Sequence, residues 1–308
     1  MKDISLDSPI VFICNPVAGN GAALRALFEV KERMTAAGLA YKVEYTKYSG
    51  HGTELAAAAA QNGAGIVCAM GGDGTVREVA LGLKGTKTVL GILPCGTGND
   101  LIKTLQIPAD VSQALEIVIS GKVIDINYAY ANEIPYVNVA GFGFDVDVLD
   151  EVDHYKKNTK NGRVAYLKGL FAAIKHRELR KVTYTLDDGE PCSVNALIIG
   201  AGNGRYIGGG ICIAPEANPT DGLLDFTIVR DVYTLWDVIR VLPVLSNGKL
   251  YNKTQYVTHL RGKKLYAECE PFSRMQVDGE RLPGTPVTFC VADDPIRVMV
   301  ASSYPELG

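Results

Sequence analysis

At 308 residues the chain is longer than one hydrophobic core ordinarily organises, so two domains are expected. Its 47% apolar and 21% charged residues are those of a globular protein, and a net charge of −3 counts against nucleic acid as a partner, which needs a basic excess. No run approaches 18 uncharged apolar residues, and the opening Met1-Lys2-Asp3-Ile4-Ser5-Leu6-Asp7 lacks an apolar segment; neither a membrane span nor a secretory signal is expected, and any membrane contact is peripheral.

The first 130 residues alternate short apolar runs with helical patterns. Ile10–Cys14 reads as a buried strand, followed by the turn-rich Asn15-Pro16-Val17-Ala18-Gly19-Asn20-Gly21. A helix runs from about Ala22 to Ala37 and stops at Gly38, a natural C-cap. Next come a strand at Tyr41–Thr46, a helix at Thr53–Gln61 and a strand at Ile66–Met70. The loop Gly71-Gly72-Asp73-Gly74-Thr75 leads into a helical period at Val76–Leu83. The strand Val89–Leu93 is followed by Pro94-Cys95-Gly96-Thr97-Gly98-Asn99-Asp100, the helix Val111–Ser120 and a strand at Val123–Ala129. Continuous apolar strands alternating with helices predict a parallel sheet covered on both faces, with ligands at the carboxyl ends of the strands. All three loops lie on that edge.

Beyond about residue 131 strand-like runs dominate: Tyr136–Ala140, Val182–Leu186, Ser193–Ile199, Leu223–Val229, Gln255–Leu260, Lys264–Cys269, Val287–Val291 and Ile296–Val300. Turn signals such as Asp187-Asp188-Gly189 and Asp278-Gly279 separate them. This predicts an antiparallel β domain with inserted helices. The expected organisation is a nucleotide-binding α/β domain at 1–130 and a β domain at 131–308. Pairing of the final strand back onto the first domain stays open. The seven cysteines are scattered, with no C-x-x-C pair, and read as small buried hydrophobes in a reducing compartment. The four histidines have no metal-ligand spacing, and Trp236, in an amphipathic helical pattern, is expected in the core.

The loops carry the chemistry. Three glycines within Gly71–Thr75 let the backbone approach a ligand closely, and amides at the following helix N-terminus attract phosphate. Asp73 would repel a bare phosphate, so it makes sense beside Mg²⁺ or a hydroxyl; a plain strand-to-helix turn is the alternative. The 94–100 segment repeats the logic after the next strand, and the 15–21 loop adds a third. Neither G-x-x-x-x-G-K-[ST] nor G-x-G-x-x-G occurs, against P-loop and Rossmann readings.

In this order and spacing the loops resemble the catalytic domain of diacylglycerol kinases and their bacterial lipid-kinase relatives, with sphingosine kinases more distant. The second half extends the resemblance through Gly200-Ala201-Gly202-Asn203, Gly208-Gly209-Gly210, Ala214-Pro215-Glu216-Ala217, Asp221-Gly222-Leu223-Leu224-Asp225 and Gln276-Val277-Asp278-Gly279-Glu280. It implies an α/β fold class: an N-terminal three-layer parallel-sheet domain of NAD kinase and diacylglycerol kinase type plus a C-terminal antiparallel β-sandwich, with ATP in the cleft between them. Carried over by position, Asn15, Thr46, Gly71, Gly72, Asp73, Gly74, Thr75, Gly96, Thr97, Asn99 and Asp100 would line the nucleotide site, with Glu280 reaching it from the second domain. Asp278 is similar to the family's general base. Asp221, with backbone oxygens near Asn218 and Leu223, resembles a structural Mg²⁺ site, and Asp125 is a further candidate for a Mg²⁺ and water network. Asp278-Gly279 and Asp221-Gly222 are also ordinary turn dipeptides.

The chain departs from the family pattern at Asn20, where lysine is common, at Arg77, where asparagine is frequent, and at Leu101, where phenylalanine is frequent. These leave phosphate contacts and substrate choice open. Lys156 to Lys181 holds nine Lys or Arg residues and one acid, Glu178, interleaved with Val164, Tyr166, Leu167, Leu170, Phe171 and Ile174 at helical intervals. Such a helix either lies on an anionic membrane surface or packs on the β domain with a solvated charged face.

The function expected from the resemblance is ATP- and Mg²⁺-dependent phosphorylation of a lipid hydroxyl, diacylglycerol or a related lipid alcohol, by a cytoplasmic protein peripherally associated with membrane. A homodimer is compatible with it. An NAD kinase, with a similar glycine loop and two-domain plan, is the second reading, and a non-catalytic nucleotide or lipid sensor the third; the Asn15-Pro16 loop and the late Asp278-Gly279-Glu280 favour the first.

Overall fold

The computed structural model describes residues 8–156, 162–245 and 248–305. Strands β1 (Ile10–Cys14), β2 (Tyr41–Tyr45), β3 (Ile66–Gly71) and β4 (Val89–Pro94) form a parallel sheet in the order β2-β1-β3-β4. β1, β3 and β4 are buried along their whole lengths, which is why they read as unbroken apolar runs. Helices α1 (Ala22–Ala36), α2 (His51–Gln61), α3 (Asp73–Gly82), α4 (Asp100–Thr104) and α5 (Val111–Ser120) connect them. α1 buries Ala23, Leu27, Val30 and Met34, three or four positions apart, as one helical stripe must. α5 is capped by Asp110, whose side chain accepts the Gln113 amide at 3.0 Å.

The structure corrects one detail at the end of this sheet and decides another that the sequence leaves open. The single strand expected at 123–129 is two, β5 (Lys122–Ile126) and Ala129–Ala131, and they enter different sheets. The last strand, Ile296–Val300, returns to lie between β4 and β5, parallel to the former and antiparallel to the latter. The chain end therefore completes the first sheet, which is mixed.

The second sheet is antiparallel and centres on Cys192–Gly202, whose length lets it pair with Arg180–Leu186, Val139–Gly143 and Leu224–Arg230. Side chains from many of its strands meet in one core, among them Tyr136, Phe142, Phe226, Leu265 and Phe289, so the sheet folds over on itself. Alternation sorts the faces: Leu224, Phe226 and Ile228 enter that core while Val229 joins the opposite layer. A register shift between Ala196 and Ile198 lets the consecutive Leu197 and Ile198 both reach that outer layer. There α6 (Phe144–Lys156), α7 (Gly162–His176) and α8 (Leu235–Leu245) cover the sheet.

The basic stretch thus contains a helix packed through Ala173 and Ile174 on the β domain. Residues 157–161, and the side chains of Val164, Tyr166, Leu167 and Leu170, lie outside the described residues.

Candidate active site

Two backbone approaches and one side-chain hydrogen bond bring the glycine loops together. A Cβ on Gly96 would run into Cα of Gly72, and one on Gly72 would stand 3.2 Å from Cα of Gly96, so these two loops touch through bare backbone. Gly19, in the left-handed region at φ 55°, leaves its missing Cβ where the Cys95 carbonyl oxygen lies, which seats the 15–21 loop against the 94–100 segment. Asn15 Nδ2 donates to Thr75 Oγ1 at 3.2 Å.

Asp73 is the staple between the loops. As the first residue of α3, it accepts the Asn99 amide on Oδ2 at 2.7 Å and the Asp100 amide on Oδ1 at 2.6 Å. It thereby supplies partners for the start of α4, where Asn99 is left-handed and its own side chain is bonded to Gly96. Burial pushes the Asp73 carboxyl above its ordinary range, opposed by these amides. Replacing Asp73 by alanine is expected to cost about 2 kcal/mol or more by leaving two part-buried amides unpaired. Urea denaturation checks this; an unchanged midpoint would mean that water takes over both bonds.

Asp100 is buried, accepts the Gly209 amide at 2.8 Å and pairs with Lys103 Nζ at 2.7 Å. Lys103 also donates to the Gly98 carbonyl at 2.9 Å. The Tyr206–Cys212 hairpin of the second half is thus docked on the 96–100 loop of the first.

From the opposite side comes the hairpin Met275–Leu282. Asp278 and Gly279 both have positive φ, 48° and 86°, the turn chemistry expected of an Asp-Gly hairpin. The Asp278 side chain is nonetheless turned inward: Oδ2 accepts the Val137 amide at 2.9 Å, and Oδ1 accepts the amides of Asn138 and Val139 at 3.0 and 3.1 Å. Arg77 Nε on α3 stands 3.5 Å from Oδ2, and its Nη1 pairs with Glu280 at 2.8 Å. Burial raises the Asp278 carboxyl to about 6, against the lowering effect of the three amides and Arg77. The buried Tyr136 hydroxyl also feels this carboxylate.

These elements enclose a cavity of about 1030 Å³ whose lining includes Asp73, Thr97, Asp100, Asn138, Gly209 and Asp278, ample for a nucleotide and a lipid headgroup. Of the residues singled out in the sequence, Asp73, Thr97, Asp100 and Asp278 are brought together on its wall. Asn15, Gly71, Gly72, Gly74, Thr75, Gly96 and Asn99 stand behind them as the backbone and hydrogen-bond frame. Thr46 follows β2, its amide on the Cys14 carbonyl at 3.0 Å, outside the lining. Glu280 is exposed and tied to Arg77.

The remaining candidates lie elsewhere. Asp125 is exposed on β5, beside the last strand. Asp221 accepts the Leu223 amide at 2.9 Å and pairs with Arg261, while the Asn218 side chain bonds to Thr220. A guanidinium therefore neutralises the carboxylate that the resemblance assigns to a cation, and among the described residues no three His, Cys, Asp or Glu converge as a metal cluster. Arg77, Lys103 and Asn138 were not assigned roles from the sequence. Lys103, one turn after Asp100 on a helix, carried the only local signal; the other two acquire partners only through the fold.

Residues 9–131 match the family described as diacylglycerol kinase catalytic domain, and residues 138–300 the one described as YegS C-terminal NAD kinase beta sandwich-like domain. The chain is 30% identical over 279 residues to a diacylglycerol kinase of Mycobacterium tuberculosis (strain ATCC 25618 / H37Rv), with 88% of each covered. It is 36% identical over 219 residues to a "Probable lipid kinase YegS-like" of Klebsiella pneumoniae (strain 342), covering 68% of this chain and 71% of that protein. A crystal structure of a diacylglycerol kinase from Bacillus anthracis str. Sterne shares the fold, with a TM-score of 0.71 at 22% identity over 97% of this chain and 98% of that one.

Proposed function

The chain belongs to the diacylglycerol kinase catalytic domain family and is a lipid kinase, and from that premise we propose that it transfers the γ-phosphoryl of ATP to the free hydroxyl of diacylglycerol, giving phosphatidic acid. One observation carries the reading furthest: Asp278, with its carboxyl raised to about 6, opens on the same cavity as the Asp73–Asp100 loop pair.

Asp278 takes the proton of the lipid hydroxyl as its oxygen attacks the γ-phosphorus and the bond to the β–γ bridging oxygen breaks. Three amides and Arg77 stabilise its charged form, so at neutral pH it is an ionised base poised close to the operating pH. Asp73 and Asp100 hold the loops in register; Asp100 is already paired with Lys103, while Asp73, bonded to two amides, keeps lone pairs free, and such a hard oxygen donor would fit Mg²⁺. When bound, Mg²⁺-ATP supplies the transferable group and offsets its charge. Lys103 brings a cation to the rim beside the Gly98 carbonyl. The setting we propose is cytoplasmic, at the surface of a membrane that holds the acceptor.

Incubation with γ-labelled ATP and Mg²⁺ against diacylglycerol, a sphingoid base, phosphatidylglycerol and NAD separates the acceptors. Label is expected in diacylglycerol; label confined to another lipid would replace the acceptor, and label confined to NAD would overturn the reading.

A further inference from the structure

Trp236, expected in the core, stands 70% exposed. The reason is local: Val238 and Val241 take the buried side of α8, which leaves Leu235, Trp236 and Ile239 facing out. Tyr233 is exposed just before the helix, and Phe171 is exposed at 70% on α7. Arg177 joins the two helices: its Nη1 caps the Ile174 carbonyl of α7 at 2.9 Å, and its Nη2 bonds the Tyr233 carbonyl at 2.7 Å. Phe171 is flanked at helical spacing by the exposed Lys168 and Lys175, and Arg240 is exposed one residue after Ile239.

Large apolar side chains exposed on neighbouring turns of one helix, as on α8, seldom stay uncovered, and the Arg177 bridge sets the end of α7 beside the start of that helix. From this grouping we infer that the outer faces of α7 and α8 form a docking surface for an anionic lipid bilayer, with Trp236 and Phe171 seated at the headgroup level and the basic residues on its phosphates. Indole rings and long basic side chains around aliphatic anchors are the chemistry that such an interface selects. A second copy of the chain fits less well, because an isologous contact would set one lysine-bearing face against another of the same charge. Of the acids nearby, Asp237 is engaged by Tyr256 and Thr234 and stands 4.0 Å from Arg240, Asp231 is bound by Arg230, and Glu178 is exposed, so Lys168 and Lys175 carry the positive charge of the surface. Arg180, by contrast, is buried and bound to Asp147 by both guanidinium nitrogens, so the basic surface excludes it. The surface also connects to the chemistry, since Val139 of the cavity wall packs in the same apolar layer as Val238 and Val241.

This inference rests on the lipid-kinase reading for its partner, and the test keeps the two apart. Trp236 is the single tryptophan of the chain, so its emission reports the surface directly. With vesicles of phosphatidylcholine and phosphatidylglycerol, the full chain should show a blue shift and quenching by brominated acyl chains, with much less on pure phosphatidylcholine. The double variant Leu235→Ser, Ile239→Ser, which keeps the tryptophan, should bind those vesicles about tenfold more weakly or worse. It should lose phosphorylation of vesicle-borne diacylglycerol but keep that of a dispersed short-chain diacylglycerol. Unchanged Trp236 emission on anionic vesicles, or unaltered vesicle binding by the double variant, would overturn the docking surface; so would a blue shift produced by raising protein concentration alone, which would assign the patch to a second copy. If the wild type inserts Trp236 yet phosphorylates no diacylglycerol in either form, the docking surface stands and the acceptor reading falls.

Discussion

Replacing Asp278 by asparagine is expected to lower lipid phosphorylation by about 10²–10⁴-fold, the usual contribution of a positioned general base. The substitution keeps the shape of the side chain and removes its capacity to take a proton. It also has a structural effect that must be separated from the chemical one. All three amides of residues 137–139 point at the carboxylate, so one end of an asparagine side chain would present its NH₂ to an N–H donor. That mismatch should cost about 1–3 kcal/mol, visible as a lower unfolding midpoint. Nucleotide binding measured below the new midpoint distinguishes the effects: binding should survive while turnover is lost. A folded variant with near-normal turnover would remove Asp278 from the chemistry and leave it as a hairpin staple.

The second large effect is expected at Arg77. Its guanidinium reaches from α3 to Asp278, Glu280 and the Pro135 carbonyl, so one side chain ties the first sheet's helix to the hairpin that carries the proposed base. It is also among the influences that hold the Asp278 carboxyl down against burial. Arg77→Met keeps the aliphatic length and removes the charge. The groups left facing Asp278 are then the three amides and the buried Tyr136 hydroxyl, with Glu280 unpaired nearby. The carboxyl must rise further, and the acid limb of the rate profile moves to higher pH. At pH 7 the rate should fall by roughly tenfold or more and recover in part toward pH 8.5, while Arg77→Lys should restore much of the neutral-pH rate. A loss of equal size at every pH would mean that Arg77 only holds the hairpin in place.

Much of the first sheet was legible because burial on both faces writes β1, β3 and β4 as apolar runs, and because close backbone contact at Gly72 and Gly96 demands glycine. The same logic placed the three loops on one edge. What was not legible is pairing at long range. An apolar run such as Ile296–Val300 does not say which sheet it joins, and it joined the one begun by residue 10. Arg77 and Glu280 lie 203 positions apart, so a departure from the family pattern gave no hint that it reaches Asp278 and Glu280. Trp236 shows the complementary failure: its helix is amphipathic as read, but an apolar residue beside an apolar stripe need not belong to it. The Asp-Gly hairpin signal at 278 described the backbone well and was silent about the side chain, which bonds to residues about 140 positions earlier.

The wild-type pH profile of lipid phosphorylation tests the central claim most directly, because it requires both the activity and the base. With the Asp278 carboxyl at about 6, the proposed base is ionised above that pH and protonated below it. Measured with saturating ATP and Mg²⁺ on dispersed diacylglycerol, kcat/KM should be level from about pH 7 upward, half-maximal near pH 6, and fall about tenfold per unit below. A rate that stays level down to pH 4.5, or that shows no transfer to any lipid alcohol, would contradict it.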